Sequence, residues 1–151
     1  MYVSVNGIRL FFDVEGLGLI PDGATMIEKP VMLLLHGGPG ADHSLFKPSF
    51  GQLADLVQLV YLDHRGCGRS ERGPVSSWNL LQWGDDVLGF CEALGIERPI
   101  VYGGSFGGEV ALSFATRYPQ RLSKLILECT TAKVELDVIL SAFERLGGIA
   151  V

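Results

Sequence analysis

The chain has 151 residues, 48% of them hydrophobic and 19% charged, with a formal net charge of −5. That is the length and balance of one globular domain with a real core. The acidic surplus, with no basic cluster, argues against a nucleic-acid or anionic-membrane surface. Cys67, Cys91 and Cys129 are odd in number and widely spaced, which argues against a disulfide framework or a zinc site and favours a reducing compartment. No basic region leads into an apolar stretch near Met1, and the strongest apolar run, Val31 to Leu35, is too short to cross a bilayer. A cytoplasmic protein is expected.

In chain order, Tyr2 to Val5 and Ile8 to Val14 are β-formers around Asn6-Gly7, a dipeptide suited to the positive φ of a tight hairpin turn. Gly16 to Lys29 carries glycine, proline and charge and reads as a loop. Val31 to Leu35 is a continuous apolar run, as in a strand covered on both faces, and it runs into His36-Gly37-Gly38-Pro39-Gly40. Ser44 to Leu56 has helical spacing. Gln58 to Leu62 predicts a strand, closed by Asp63-His64-Arg65-Gly66-Cys67-Gly68-Arg69-Ser70. Ser76 or Ser77 is expected to cap a helix running to about Leu94. A strand at Pro99 to Tyr102, a helix at Glu109 to Arg117, a strand at Leu122 to Leu127 and a helix at Leu136 to Leu146, ended by Gly147-Gly148, complete the reading. A hairpin followed by alternating strands and helices implies a largely parallel sheet with helices on both faces. The loops at Gly37, Asp63 and Ser105 all follow strands, so they should gather at the carboxyl edge, where open α/β sheets bind ligands.

Chemistry concentrates in Gly103-Gly104-Ser105-Phe106-Gly107-Gly108. Gly-x-Ser-x-Gly between a strand and a helix is the pattern of a nucleophile elbow, a turn that projects the serine hydroxyl above the sheet. Ser105 is therefore the candidate nucleophile, and the backbone N–H of Phe106 is one candidate oxyanion donor. The glycine-rich turn after the third strand can supply the second, with Gly38 the first choice and Gly37 the second. His36 is expected to brace that loop rather than act as base, because the triad on such a sheet runs in the order Ser, acid, His. Asp63 and Arg65 are read as an ion pair bracing a loop. Asp85-Asp86 is read as solvated or loop-bracing, and Trp78 and Trp83 as packing. No dinucleotide, phosphate-loop or zinc motif occurs, so no metal and no cofactor are expected.

His-Gly-Gly-Pro-Gly, then Asp-x-Arg-Gly-x-Gly-x-Ser, then Gly-Gly-Ser-Phe-Gly-Gly, in this order, resemble the proline iminopeptidase group of α/β-hydrolases from the hairpin through about Thr131. The resemblance implies a cytoplasmic serine aminopeptidase acting on a small peptide or aminoacyl amide, with Ser105 as nucleophile and Gly38 and Phe106 as oxyanion donors. It makes Asp63, Arg65, Gly66, Gly68 and Ser70 a structural loop beside the site, near His36. The family usually has tryptophan after the serine, and here it is Phe106, which changes one wall of the pocket. An esterase, lactonase or amino-acid amidase on the same scaffold is the alternative, and a non-catalytic scaffold or binding protein is a third reading.

His36, His43 and His64 are the only histidines, and all precede Ser105. On the family pattern the acid and histidine would come later, after a helical cap. The expectation is therefore an N-terminal part of the α/β-hydrolase core in residues 1–131, with 132–151 opening the cap and the last strands and triad partners absent. Such a chain would be inactive alone. Its last strand would invite self-association or a complementing C-terminal segment.

Overall fold

In the computed structural model, residues 1–133 and 135–147 are described. The chain opens with the expected hairpin, β1 (Tyr2–Val5) and β2 (Ile8–Glu15), paired Val5 to Ile8 across a turn in which Asn6 and Gly7 both have positive φ. Then come β3 (Leu19–Asp22) and β4 (Thr25–Glu28), β5 (Val31–Leu35), the single helical turn α1 (Lys47–Phe50) and β6 (Gln58–Leu62). Helix α2 (Leu80–Ala93), β7 (Ile100–Gly104), α3 (Phe106–Arg117), β8 (Lys124–Glu128) and α4 (Leu136–Gly147) follow.

The main sheet has six strands in the order β1-β2-β6-β5-β7-β8. β1 pairs antiparallel with β2 and β2 antiparallel with β6, whereas β6, β5, β7 and β8 run parallel to one another. The apolar runs of β5 and β6 follow from cover on both sides. Leu33, Leu35, Leu62 and Val101 pack beneath Val87 and Phe90 of α2 and Val110 and Phe114 of α3. Met32, Leu34, Leu59, Tyr61 and Tyr102 pack on the opposite face against Phe46, Phe50 and Leu53. Each large aliphatic side chain buried this completely contributes about 1.5–3 kcal/mol from removal of apolar surface.

Three elements depart from the sequence reading. The stretch 16–29 is not a plain loop: β3 and β4 form a separate two-stranded ribbon turned at Asp22 and Thr25. Its strands are short and mostly exposed, so they lack the apolar alternation that would have marked them. The Ser44–Leu56 helix is broken into 3-10 turns at His43–Leu45 and Gly51–Leu53 on either side of α1. Pro48 removes an amide donor inside this stretch. Finally, α2 is capped by Asn79, whose side chain accepts from the Gln82 N–H at 3.0 Å, and not by Ser76 or Ser77. Those serines fall in a separate 3-10 turn, where Ser77 Oγ donates to the Pro74 carbonyl.

The strand order sets β5, β6 and β7 side by side with their carboxyl ends level, Leu35 opposite Leu62 and Gly103. No described helix is long and apolar enough to cross a membrane. α4 spans the helix expected at its position, while Gly148 of the expected Gly-Gly stop lies outside the described residues.

Candidate active site

Ser105 sits where β7 stops and α3 starts, with φ +52° and ψ −122°. A residue with a side chain pays roughly 1–3 kcal/mol for such a conformation, so surrounding structure must impose it. The Ser105 N–H donates to the Glu128 carbonyl at 2.9 Å, and the Ser105 carbonyl accepts from the Gly108 N–H at 2.8 Å. A side chain at Gly107 would strike the carbonyls of Leu35 and His36. That close approach lets α3 start directly over the end of β5. The serine itself is exposed. Phe106 is the first residue of α3, so its N–H has no intrahelical acceptor and is available at the helix start.

Gly37 lies against the serine. A Cβ there would stand 3.3 Å from Ser105 Cβ and 3.9 Å from its Oγ. Gly38 follows with φ +122°, and its own close neighbours are the backbone nitrogens of Gly40 and Ala41. The fold thus brings Gly37, Ser105 and Phe106 together, with Gly38 one residue further along the loop.

His36 is fully buried. Its Nε2 accepts from the His64 N–H at 3.2 Å, and its Nδ1 lies 2.7 Å from the Gly37 carbonyl. A backbone N–H can only donate, so the proton is on Nδ1 and both ring nitrogens bind loop backbone. The His64 ring lies 4.5 Å from that of His36, and its Nε2 donates to the His36 carbonyl at 3.2 Å. Burial holds the His36 ring below its ordinary range and the buried His64 well below it. Both are neutral braces between the loops after β5 and β6.

Asp63 and Arg65 do not pair with each other, contrary to the sequence reading. The Asp63 carboxylate accepts from the N–H and Nδ1 of His43, at 2.9 and 2.8 Å, and from the Arg69 N–H at 2.9 Å. Arg65 forms a two-pronged pair with Asp86 of α2, Nε to Oδ2 at 2.7 Å and Nη2 to Oδ1 at 2.8 Å. Asp86 is thus buried rather than solvated. The physical reason is distance along different elements: Asp63 points into the loop after β5, whereas Arg65 turns towards α2 and the β1–β2 turn, where it also donates to the Asn6 carbonyl.

Sequence reasoning missed the His43–Asp63 pair and the role of Trp83. Trp83 donates through Nε1 to the Arg65 carbonyl, and its ring packs edge-on against Phe106 at 4.9 Å. No local signal announces either contact, because both depend on strand register and helix docking. Trp78 is partly exposed, its Nε1 donating to the Arg72 carbonyl at 2.7 Å. Among the described residues no cluster of His, Cys, Asp and Glu is arranged to hold a metal, and no histidine nitrogen is hydrogen-bonded to Ser105.

A strained, exposed serine at the carboxyl edge of a parallel sheet, opposite a glycine loop, defines a hydrolase-like scaffold. Residues 30–146 match the family model described as the alpha/beta hydrolase fold, and the chain belongs to that family. Among curated relatives, it is 35% identical to the proline iminopeptidase of Neisseria gonorrhoeae over 136 residues, covering 83% of this chain and 38% of the relative. It is also 35% identical to a putative carbamate hydrolase, RutD, of Caulobacter sp. (strain K31), covering 82% of this chain and 42% of the relative. The enol-lactonase from Burkholderia xenovorans LB400 superposes with a TM-score of 0.77 at 27% identity, over 99% of this chain and 55% of that one. A proline iminopeptidase-related protein from Thermus thermophilus gives 0.72 at 30% identity, over 84% and 42%. The chain spans less than half the length of these two curated relatives.

Proposed function

We propose that this chain carries the nucleophile and oxyanion loop of a serine hydrolase of the proline iminopeptidase type. In this reading Ser105 attacks the carbonyl of an N-terminal, proline-like residue in a small peptide or aminoacyl amide. An acyl-enzyme forms as the amine leaves, and water then releases the acid. The observation that carries the reading is the Ser105 turn at φ +52°, with Gly37 packed on the serine and the Phe106 N–H beside it. The likeness to proline iminopeptidases supports the leaving-group class.

None of the three histidines is hydrogen-bonded to the serine as its base. His36 binds backbone through both ring nitrogens, His64 leans on the His36 carbonyl and His43 is held by Asp63. The 151-residue chain alone is therefore proposed to be inactive. Phe106 in place of the family's tryptophan, with a carbamate hydrolase and an enol-lactonase among the relatives, favours a second reading: an esterase, lactonase or amidase on the same scaffold. Both readings are of a cytoplasmic protein that uses no cofactor.

A fluorophosphonate probe tests the nucleophile, since only an activated hydroxyl reacts with it. The 151-residue chain should remain unlabelled. The complete hydrolase containing it should be labelled at Ser105 and should turn over prolyl, alanyl or leucyl amides, both lost in Ser105→Ala. Turnover surviving that change would sink the assignment, and a preference for simple esters over amides would select the second reading.

A further inference from the structure

A cavity of about 480 Å³ opens beside the glycine loop, bordered by Pro39, Gly40, Cys67, Arg72, Trp78 and Trp83. It does not include Ser105, but it shares the loop that packs on the serine, and Trp83 forms its common wall with Phe106. That volume lies within the range of small-molecule sites.

Two aromatic walls and one unbalanced cation give the cavity its chemistry. Both indole N–H groups are already used, Trp83 on the Arg65 carbonyl and Trp78 on the Arg72 carbonyl, so the tryptophans offer apolar ring surface. Trp78 packs against the loop at Gly66, where a Cβ would stand 2.9 Å from the indole ring. Of the two arginines on the cavity, Arg65 is neutralised by Asp86. Arg72 is exposed and has no carboxylate partner among the described residues.

We propose that this cavity binds a small carboxylate with a planar apolar body, its ring against Trp78 and Trp83 and its carboxylate on the Arg72 guanidinium. An organic cation is excluded by Arg72, and a neutral ring leaves that charge unmatched. Use of the cavity as a substrate subsite, holding an acidic part of the acyl or leaving group beside the nucleophile, rests on the Ser105 reading. Binding of the free carboxylate does not.

The chain's only two tryptophans both line the cavity, so intrinsic fluorescence reports its occupancy without a label. Titration of the 151-residue chain with phenylacetate should give a saturable change, and phenethylamine at the same concentrations should give none. Arg72→Gln, at an exposed position and checked by circular dichroism, should weaken phenylacetate binding at least fivefold, and Arg72→Lys should recover part of the loss. No saturable response, an equal response to phenethylamine, or less than a fivefold loss in Arg72→Gln overturns the proposal. None of these outcomes touches the fluorophosphonate test of Ser105.

Discussion

Arg65 and Asp86 tie three distant pieces of chain together, and both side chains are almost fully buried. Asp86 also accepts from Asn6 Nδ2 at 2.9 Å and Gln82 Nε2 at 3.0 Å, while Arg65 reaches the Asn6 carbonyl. The opening hairpin, the loop after β6 and α2 are therefore fixed through one charge pair. Removing one member strands the other charge in a low-dielectric interior, which costs about 3–5 kcal/mol. Asp86→Ala should lower the unfolding free energy in urea by that amount, and a loss below about 1 kcal/mol would show that water reaches the guanidinium. The acidic dipeptide was visible in the sequence, but its partner was not. Asp85 turns outward to Arg117 and Tyr118, while its neighbour turns in to Arg65. Only the docking of α2 decides which of two adjacent aspartates is buried.

At the scale of elements, the parallel strands were the legible part, because cover on both faces writes an unbroken apolar run. The ribbon β3–β4 was not, since its exposed strands need no apolar pattern. The elbow helix α3 starts at Phe106, three residues before its expected start, because glycines that look like loop residues are what the close packing on β5 requires. β8 forms the sheet edge on which the expectation of association rests. Among the described residues no strand covers its outer edge, and Ile126 and Leu127 are 42% and 40% exposed. Ser123 N–H donates towards β7, so by alternation the amides of Lys124 and Ile126 face outward. Two copies of Lys-Leu-Ile-Leu-Glu paired antiparallel about Ile126 set Lys124 opposite Glu128 of the second copy. The 151-residue chain should therefore dimerise in sedimentation experiments. Lys124→Glu should weaken the dimer about tenfold, and adding Glu128→Lys should restore it. A double variant as weak as the single one rules this register out.

At the scale of the molecule, the adjacent, mutually tilted His36 and His64 rings set an acid limit. Both are held below the ordinary value of 6.5, mainly by burial. Below that pH the unfolded chain takes up protons that the folded chain refuses. Stability should be level above about pH 7 and fall as the pH drops from 6.5 towards the depressed folded values, by up to about 1.4 kcal/mol per pH unit for each ring. Denaturant midpoints between about pH 5 and 8 check this, and a flat profile would mean that both rings are open to protonation in the native state.

The Ser105 turn is held by neighbours that lie at or before Thr130: the end of β5 under Gly107, the last carbonyl of β8 on the serine amide and the Thr130 side chain against Gly108. The part of this scaffold most demanding in geometry is thus self-contained, a socket whose shape does not wait on whatever is joined to it. Different downstream segments could be grafted after Thr131, each bringing its own acid, base and lid, while the strained serine stayed as it is. For design, the practical junction is the turn beyond β8, where exchange of chemistry need not disturb the nucleophile.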